Sequence, residues 1–284
     1  MRALTLFGHA QLNPGAAAPS ASSLLAWAAT LTFCNGVAGK AIVAINRVGF
    51  APALANSFDM NILVLAAGVV GLRLAWSAEA SRPSSRLDYV VAGAAAALAL
   101  MPYAPMAWLG LSIVALRAMA REKQCDLLRR AGWILAAVSG SLIWTKLLFA
   151  LFAPTILSGD ALLTAALLNV ERSGNMVAFA DGSGFFQVYP ACSSLGNVSV
   201  GIVCWVTAVN LHAPGRASWN IVVGVGVAAA VVTINIIRLA LIGLYPAQFE
   251  TIHGAVGEMV TIWTTLAAVV GLSAITLRKR AALV

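Results

Sequence analysis

The chain has 284 residues, of which 61% are hydrophobic and only 10% are charged, and its mean hydropathy is +0.89. A soluble domain carries roughly a quarter of charged residues, so this composition excludes an ordinary soluble protein and indicates an integral membrane protein. The formal net charge of +8 does not indicate nucleic-acid binding, because the basic residues lie in short loops between apolar runs, as membrane orientation requires.

The apolar runs are continuous and lack the alternation of a membrane β-barrel, so they predict helices. A hydrocarbon core of about 30 Å needs about 20 helical residues per crossing. The sequence therefore predicts an all-α polytopic membrane protein with about eight transmembrane helices. The first 22 residues predict a flexible cytoplasmic tail, and residues 23–284 a single integral membrane domain. The predicted spans are 23–45, 61–76, two helices within 89–120, 131–152, 193–211, 219–244 and 254–277.

The stretch 89–120 is too long for one straight crossing and contains only one charge, Arg117. Basic loops flank it on both sides, and basic loops belong on the same side of the membrane. An even number of crossings must therefore separate them. We expect a tight helical hairpin that turns at 101–105, where Pro102 and Pro105 lie.

A polar segment, 154–192, separates the fifth and sixth spans and predicts a small outward-facing element. Its pattern predicts a short amphipathic helix over 160–170 and strands over 176–180 and 185–188. The predicted topology is a multi-pass protein of the plasma membrane with both termini in the cytoplasm. Cys192, the Arg238 end of the seventh span and His253 then all lie on the outer face.

The cysteines, at positions 34, 125, 192 and 204, show neither metal-ligand spacing nor a disulfide framework. Among them Cys192 alone is predicted to lie in an outer loop. With Pro190 just before it, Cys192 is expected in the first turn of the sixth helix, where unpaired N–H groups and the helix dipole stabilise a thiolate. The competing interpretation is that Cys192 is a small apolar core residue.

Arg238 lies six residues before the end of an apolar helix, where an arginine is costly and points to a functional role. Its guanidinium is suited to hold a carboxylate or to stabilise an oxyanion, unless it only reaches the membrane surface. Asn235, about one turn earlier, is expected to orient Arg238 or to bind backbone. Ser193 and Ser194, beside the cysteine, are expected to support the site or contact substrate.

His253 immediately precedes the eighth span. A neutral imidazole there could accept the thiol proton and later protonate a leaving amine, although a histidine in a loop is more often an ordinary surface residue. We expect Cys192, Arg238 and His253 to meet in one cysteine-dependent peptide-cleaving centre, without a metal or a cofactor.

Several short motifs occur in an order that resembles the exosortase/archaeosortase family over roughly residues 155–275. They are the apolar run 162–168, Gly-Asn-Met-Val at 174–177, Phe-Gln-Val at 186–188, Ala-Cys-Ser at 191–193, Asn-x-x-Arg at 235–238, and a histidine at 253 followed by glycine at 257. The chain differs from the common family pattern at Ser194, where glycine is usual, and at Leu239, where isoleucine is usual.

The resemblance implies a membrane protein-sorting cysteine transpeptidase. Its substrates would carry a C-terminal signal made of a short motif, a transmembrane helix and a basic tail. Cys192 would form a thioester, His253 would act as acid and base, and Arg238 would stabilise the oxyanion. The cleaved protein would pass to a membrane lipid or glycan acceptor.

Besides a scaffold role, two other functions remain open on the sequence alone. One is an intramembrane-edge cysteine protease that uses the same residues but only hydrolyses. The other is a transporter or flippase with a polar path through Lys146, Arg238 and Glu258, although no repeated halves are evident. A scaffold role would make the three-residue pattern accidental.

Overall fold

The computed structural model describes residues 20–78, 83–120, 126–212 and 217–281. Most of the predicted cytoplasmic tail, as well as Cys125, lies outside these residues. The first helix begins at Ala21, where the Ser20 side chain accepts a hydrogen bond from the backbone N–H of Ser23. Such a cap satisfies one of the free donors at a helix start.

Helices make up most of the described chain. They are α1 (Ala21–Val48), α2 (Phe50–Ala55), α3 (Ile62–Trp76), α4 (Arg86–Ala99), α5 (Ala104–Met119), α6 (Asp126–Ser139), α7 (Thr145–Leu168), α8 (Ser194–His212), α9 (Ala217–Leu244), α10 (Phe249–His253) and α11 (Ala255–Ala281). A single π-helical segment, Gly140–Trp144, joins α6 to α7.

Five helical stretches in the described residues are long and apolar enough to cross a membrane. They are Ala21–Val48, Asp126–Leu168, Ser194–His212, Ile221–Leu244 and Val256–Ala274. The mostly helical character is therefore confirmed, and the five stretches are consistent with a membrane protein. The other predicted spans correspond to α3, α4 and α5, which have 15, 14 and 16 residues. Each is shorter than a straight crossing needs, so the count of eight spans stays a prediction.

The predicted break within 89–120 is confirmed, because α4 ends at Ala99 and α5 begins at Ala104. At the opposite end of this hairpin, Ser85 and Asp88 form a capping box at the start of α4. The buried Asp88 carboxylate also accepts a hydrogen bond from Arg117 Nε of α5 at 2.9 Å. A paired and capped carboxylate can be buried without a large penalty, so this contact closes the open end of the hairpin.

The predicted end of the fifth span near residue 152 coincides with a kink in α7 at Phe152, whose φ and ψ, −124° and 18°, are not helical. Pro154 follows this kink, and proline lacks an N–H and its ring collides with the preceding turn. The predicted separate helix over 160–170 is part of the second half of α7, which runs from the kink to Leu168. The helix ends where Asn169 takes a left-handed conformation, with φ 54°.

Three short antiparallel strands follow, in the order β1 (Arg172–Ser173), β2 (Met176–Ala178) and β3 (Phe185–Gln187). The second and third confirm the predicted strands with shorter bounds, whereas the first was not predicted. Val177 pairs with Phe186, and both side chains are buried. The backbone N–H of Ala180 donates to the carbonyl of Gly243 at the end of α9. The sheet therefore packs directly against the end of α9.

The apolar core has two main parts. One is formed chiefly by α1, α3, α5 and α6, where glycines permit close helix contact: a side chain at Gly36 would meet the Trp108 ring, and one at Gly68 the Phe33 ring. The other surrounds Cys192, and its buried members include Val177, Phe186, Val188, Ile236, Leu239 and Ile242. The second core joins the sheet to α9.

The predicted sidedness can be tested by replacing Ser183, which is exposed in the turn before β3. We expect Ser183→Cys to react with a membrane-impermeant maleimide in intact cells, because the segment between α7 and α8 is predicted to face outward. Native Cys125, predicted to lie in a cytoplasmic loop, should react only after permeabilisation and serves as the internal control. The reverse pattern of labelling would overturn the topology.

Candidate active site

Cys192 lies in a short 3₁₀ turn, Pro190–Cys192, and not in a membrane helix. Ser193 is extended, with φ −70° and ψ 142°, and α8 begins at Ser194. The prediction that Cys192 occupies the first turn of the sixth helix is therefore wrong, because a turn that begins at Pro190 precedes the helix. The cysteine is 5% exposed.

The imidazole of His253 lies against this sulfur. His253 is the last residue of α10, and its Nε2 is 3.0 Å from Cys192 Sγ. The Phe249 ring, one turn earlier, stacks on the imidazole with a centroid distance of 5.0 Å and an interplanar angle of 8°. Stacking fixes the plane of the imidazole, so Nε2 stays directed at the sulfur.

The electrostatic surroundings of Cys192 differ from those predicted. Burial raises the pKa of the Cys192 thiol above its ordinary value, while a backbone hydrogen bond at Tyr189 and the positive charge of Arg238 oppose this shift. Desolvation disfavours the charged thiolate. The resting group is therefore a thiol, and a nearby base must remove its proton when it reacts.

Arg238 contacts the backbone that carries His253. Its Nε donates to the carbonyl oxygen of Ile252 at 3.2 Å, and its Nη2 donates to that of His253 at 2.9 Å. Hydrogen bonds from a charged guanidinium are stronger than neutral ones. Arg238 thus links α9 to α10, and Nη1 takes part in neither of these bonds.

Gly257 belongs to the same arrangement. A Cβ at this position would overlap the carbonyl oxygen of Ile252, which accepts the bond from Arg238 Nε. Absence of a side chain lets the first turn of α11 approach α10 this closely.

Asn235 holds the backbone of the cysteine itself. Its Nδ2 donates to the carbonyl oxygen of Cys192 at 2.9 Å, and its side chain is 1% exposed. The prediction that Asn235 binds backbone is confirmed. Its Oδ1 accepts a longer contact from Asn197 Nδ2 at 3.5 Å.

Ser193 and Ser194 build the start of α8. Ser193 Oγ accepts from the backbone N–H of Leu195 at 3.3 Å. The backbone N–H of Ser194 donates to Asp160 Oδ2 at 3.0 Å, and Ser194 Oγ bonds to Asp160 Oδ1. Both serines are buried, so these contacts support the turn that carries Cys192.

Sequence reasoning did not identify Asp160 or Phe249 as part of this site. Asp160 was assigned to an interfacial helix, yet its carboxylate is buried at the N-terminus of α8, where a negative charge is favoured. The available signal was an acidic residue isolated in an apolar helix. For Phe249 the signal was its spacing of four residues from His253, which places both on one helix face.

The three predicted charges of a transport path do not form a continuous chain of ion pairs. Lys146 lines a cavity together with Lys40, and Arg238 bonds to backbone carbonyls. Within the described residues no ion pair joins Lys146 to Glu258, and no group of three or more metal-ligating side chains occurs.

Comparisons with protein-family models, with curated proteins and with solved structures find no match to this chain.

The contact between Asp160 and Ser194 should contribute measurably to stability. Asp160→Ala leaves the buried Ser194 N–H without an acceptor, which costs about 2–3 kcal/mol. We expect the melting temperature of the purified protein to fall by about 5 °C or more. Asp181→Ala is the matched control, since Asp181 is an exposed carboxylate that accepts from the backbone N–H of Ser183. Equal effects of the two changes would contradict a special role for Asp160.

The raised pKa of Cys192 predicts how its alkylation depends on pH. In a variant with the other three cysteines replaced by alanine, the rate with iodoacetamide should still increase above the pH at which an ordinary thiol has titrated. Arg238→Gln removes the charge that favours the thiolate, so the curve should move to higher pH, and Arg238→Lys should move it less. If the alkylation rate already reached its plateau at a pH below the range in which ordinary thiols titrate, Cys192 would be a preformed thiolate instead.

Proposed function

We propose that this protein is a membrane cysteine transpeptidase that cleaves a C-terminal sorting signal and transfers the secreted protein to an acceptor. The observation that carries the proposal is the 3.0 Å separation of Cys192 Sγ and His253 Nε2. The buried Asn235 amide holds the backbone of the cysteine, and the Arg238 guanidinium holds the backbone of the histidine. A nucleophile in contact with an oriented base is the general arrangement of covalent peptide cleavage.

In the first half-reaction, His253 Nε2 accepts the thiol proton as Cys192 Sγ attacks the scissile carbonyl carbon. The resulting oxyanion needs a donor, and Arg238, whose charge already acts on Cys192, is the proposed one. The imidazolium then gives its proton to the leaving amine, the C–N bond breaks, and a thioester remains on the sulfur.

In the second half-reaction, an acceptor nucleophile from a membrane lipid or glycan attacks the thioester. His253 takes the proton of this nucleophile, the C–S bond breaks, and the proton returns to the sulfur. The buried site favours a transfer that excludes water. Hydrolysis by the same residues is the closest alternative.

The surface next to His253 suits a substrate that ends in a transmembrane helix. Close to the histidine, α11 exposes an apolar face that includes Val256, Met259, Val260 and Trp263, which are spaced as one side of a helix. These residues border a shallow hollow of about 380 Å³. A substrate helix packed there would present its outer end to Cys192.

The proposal can be tested by coexpressing the protein with candidate secreted proteins that carry a motif, a transmembrane helix and a basic tail. We expect cleavage by the wild type and its loss, by at least about a thousandfold, in Cys192→Ala and His253→Ala, because both residues act in covalent bond breaking. Cys204→Ala is the matched control and should retain activity, since this second cysteine lies in the middle of α8.

Mass spectrometry of the processed substrate distinguishes the two peptidase outcomes. An added mass on the new C-terminus supports transfer, whereas a free carboxylate on every product would replace it with hydrolysis. Arg238→Lys should impair cleavage, since a point charge cannot reproduce the planar fork that holds two carbonyls. Full activity of Cys192→Ala would refute a cysteine mechanism altogether.

A further inference from the structure

A cavity of about 660 Å³ lies between α1, the turn that joins α4 to α5, and the first part of α7. Its polar lining includes Lys40, Lys146, Asn35 and Tyr103. Its apolar lining includes Ile42, Val43, Leu100 and Leu142. The volume falls in the range typical of small-molecule sites. None of these residues takes part in the Cys192 site.

Two positive charges meet in this cavity. Lys40 and Lys146 both line it, and the charge of Lys40 acts on Lys146. Among the described residues neither lysine forms an ion pair with a carboxylate. The charge of Asp59 acts on Lys146, but the Asp59 carboxylate already pairs with Arg47. Adjacent like charges repel most strongly where water is scarce, so an anion between them would be stabilising.

The apolar part of the cavity is open at its side. Leu100 is 78% exposed, Val43 63% and Ile42 58%. In a membrane such side chains face acyl chains. The cavity has cations at one end and open apolar walls beside them. This arrangement matches an amphiphile with an anionic headgroup and hydrocarbon tails. The apolar walls would add no binding free energy for a free inorganic anion.

The position of the cavity along the bundle follows from two contacts between the α6–α7 stretch and α8. Arg130 donates to the carbonyl of Leu211, and the hydroxyls of Ser141 and Ser199 lie 3.0 Å apart, so the two stretches run antiparallel. Lys146 lies five residues beyond Ser141, and Ser194 lies five residues before Ser199. Each interval is about 7.5 Å of helix, so Lys146 lies at about the level of Ser194 and at the same end of the bundle as Cys192.

We propose that this cavity, between α1, α5 and α7, binds one anionic glycerophospholipid, with its phosphate between Lys40 and Lys146 and its acyl chains along the exposed apolar wall. The binding site is separate from the Cys192 site and does not depend on the peptidase reaction.

The test uses the full chain in detergent and native mass spectrometry with defined lipids. Wild type should retain one phosphatidylglycerol per chain in preference to phosphatidylcholine. In Lys40→Gln/Lys146→Gln the affinity for phosphatidylglycerol should fall by about twenty-five-fold, a factor of about five for each lysine near an anionic headgroup. Lys40→Arg/Lys146→Arg should restore binding.

Arg73→Gln/Arg172→Gln is the matched control, because it also removes two positive charges, both exposed and neither in the cavity. It should bind phosphatidylglycerol as the wild type does. Ala38→Trp adds a large side chain to the cavity lining without changing charge and should also abolish binding, which keeps the test decisive if the glutamine variant fails to fold.

Three results would overturn the proposal. One is equal retention of phosphatidylglycerol and phosphatidylcholine by the wild type. Another is an equal loss of binding in the arginine-to-glutamine control, which would show a general effect of surface charge. The third is displacement of the lipid by millimolar inorganic phosphate, which would identify a free-anion site. Loss of lipid binding with unchanged peptide cleavage would still support the lipid site.

Discussion

The contact between Cys192 Sγ and His253 Nε2 depends on α9. This helix touches both the turn that carries Cys192 and the helix that carries His253. Asn235 of this helix holds the carbonyl of Cys192, and Arg238, three residues later, holds the carbonyls of Ile252 and His253. Residues three apart lie on one face of a helix. A single rigid helix therefore sets the separation of sulfur and imidazole, and neither residue has to be placed by a flexible loop.

Burial has opposite effects on two parts of this arrangement. It disfavours the thiolate of Cys192, so the sulfur rests as a thiol beside the His253 imidazole. It also strengthens the hydrogen bonds that hold the backbone, because little water competes for them. Asp160 shows the same principle at the start of α8: its buried carboxylate is tolerated because Ser194 donates to it through both backbone and side chain. Ser194 is thus bonded into the fold.

The two candidate sites divide the protein by chemistry. The Cys192 site is assembled by α8, α9 and α10 with the small sheet, and hydrogen bonds from Asn235 and Arg238 hold its backbone. The lysine-lined cavity belongs to α1, the α4–α5 turn and α7, and there two cations lie together without a carboxylate partner in the described part of the chain. We propose the first for a peptidase reaction and the second for an anionic ligand. The stretch from α6 to α7 links them, because it contacts α8 and also contributes Lys146.

The sequence by itself determined the membrane character, the break between α4 and α5, two of the three strands and the three residues expected to meet. These features leave a local signal in the chain: the length of the hydrophobic runs, the position of proline, and rare polar residues within apolar runs. The sequence did not join the helix predicted over 160–170 to the fifth span, although the two form one kinked helix, α7. It also put Cys192 inside a helix, and it did not connect Asp160 or Phe249 to the site. Only the tertiary structure decided those points. Packing between segments far apart in the chain decides which carbonyl a guanidinium holds and which carboxylate caps a distant helix.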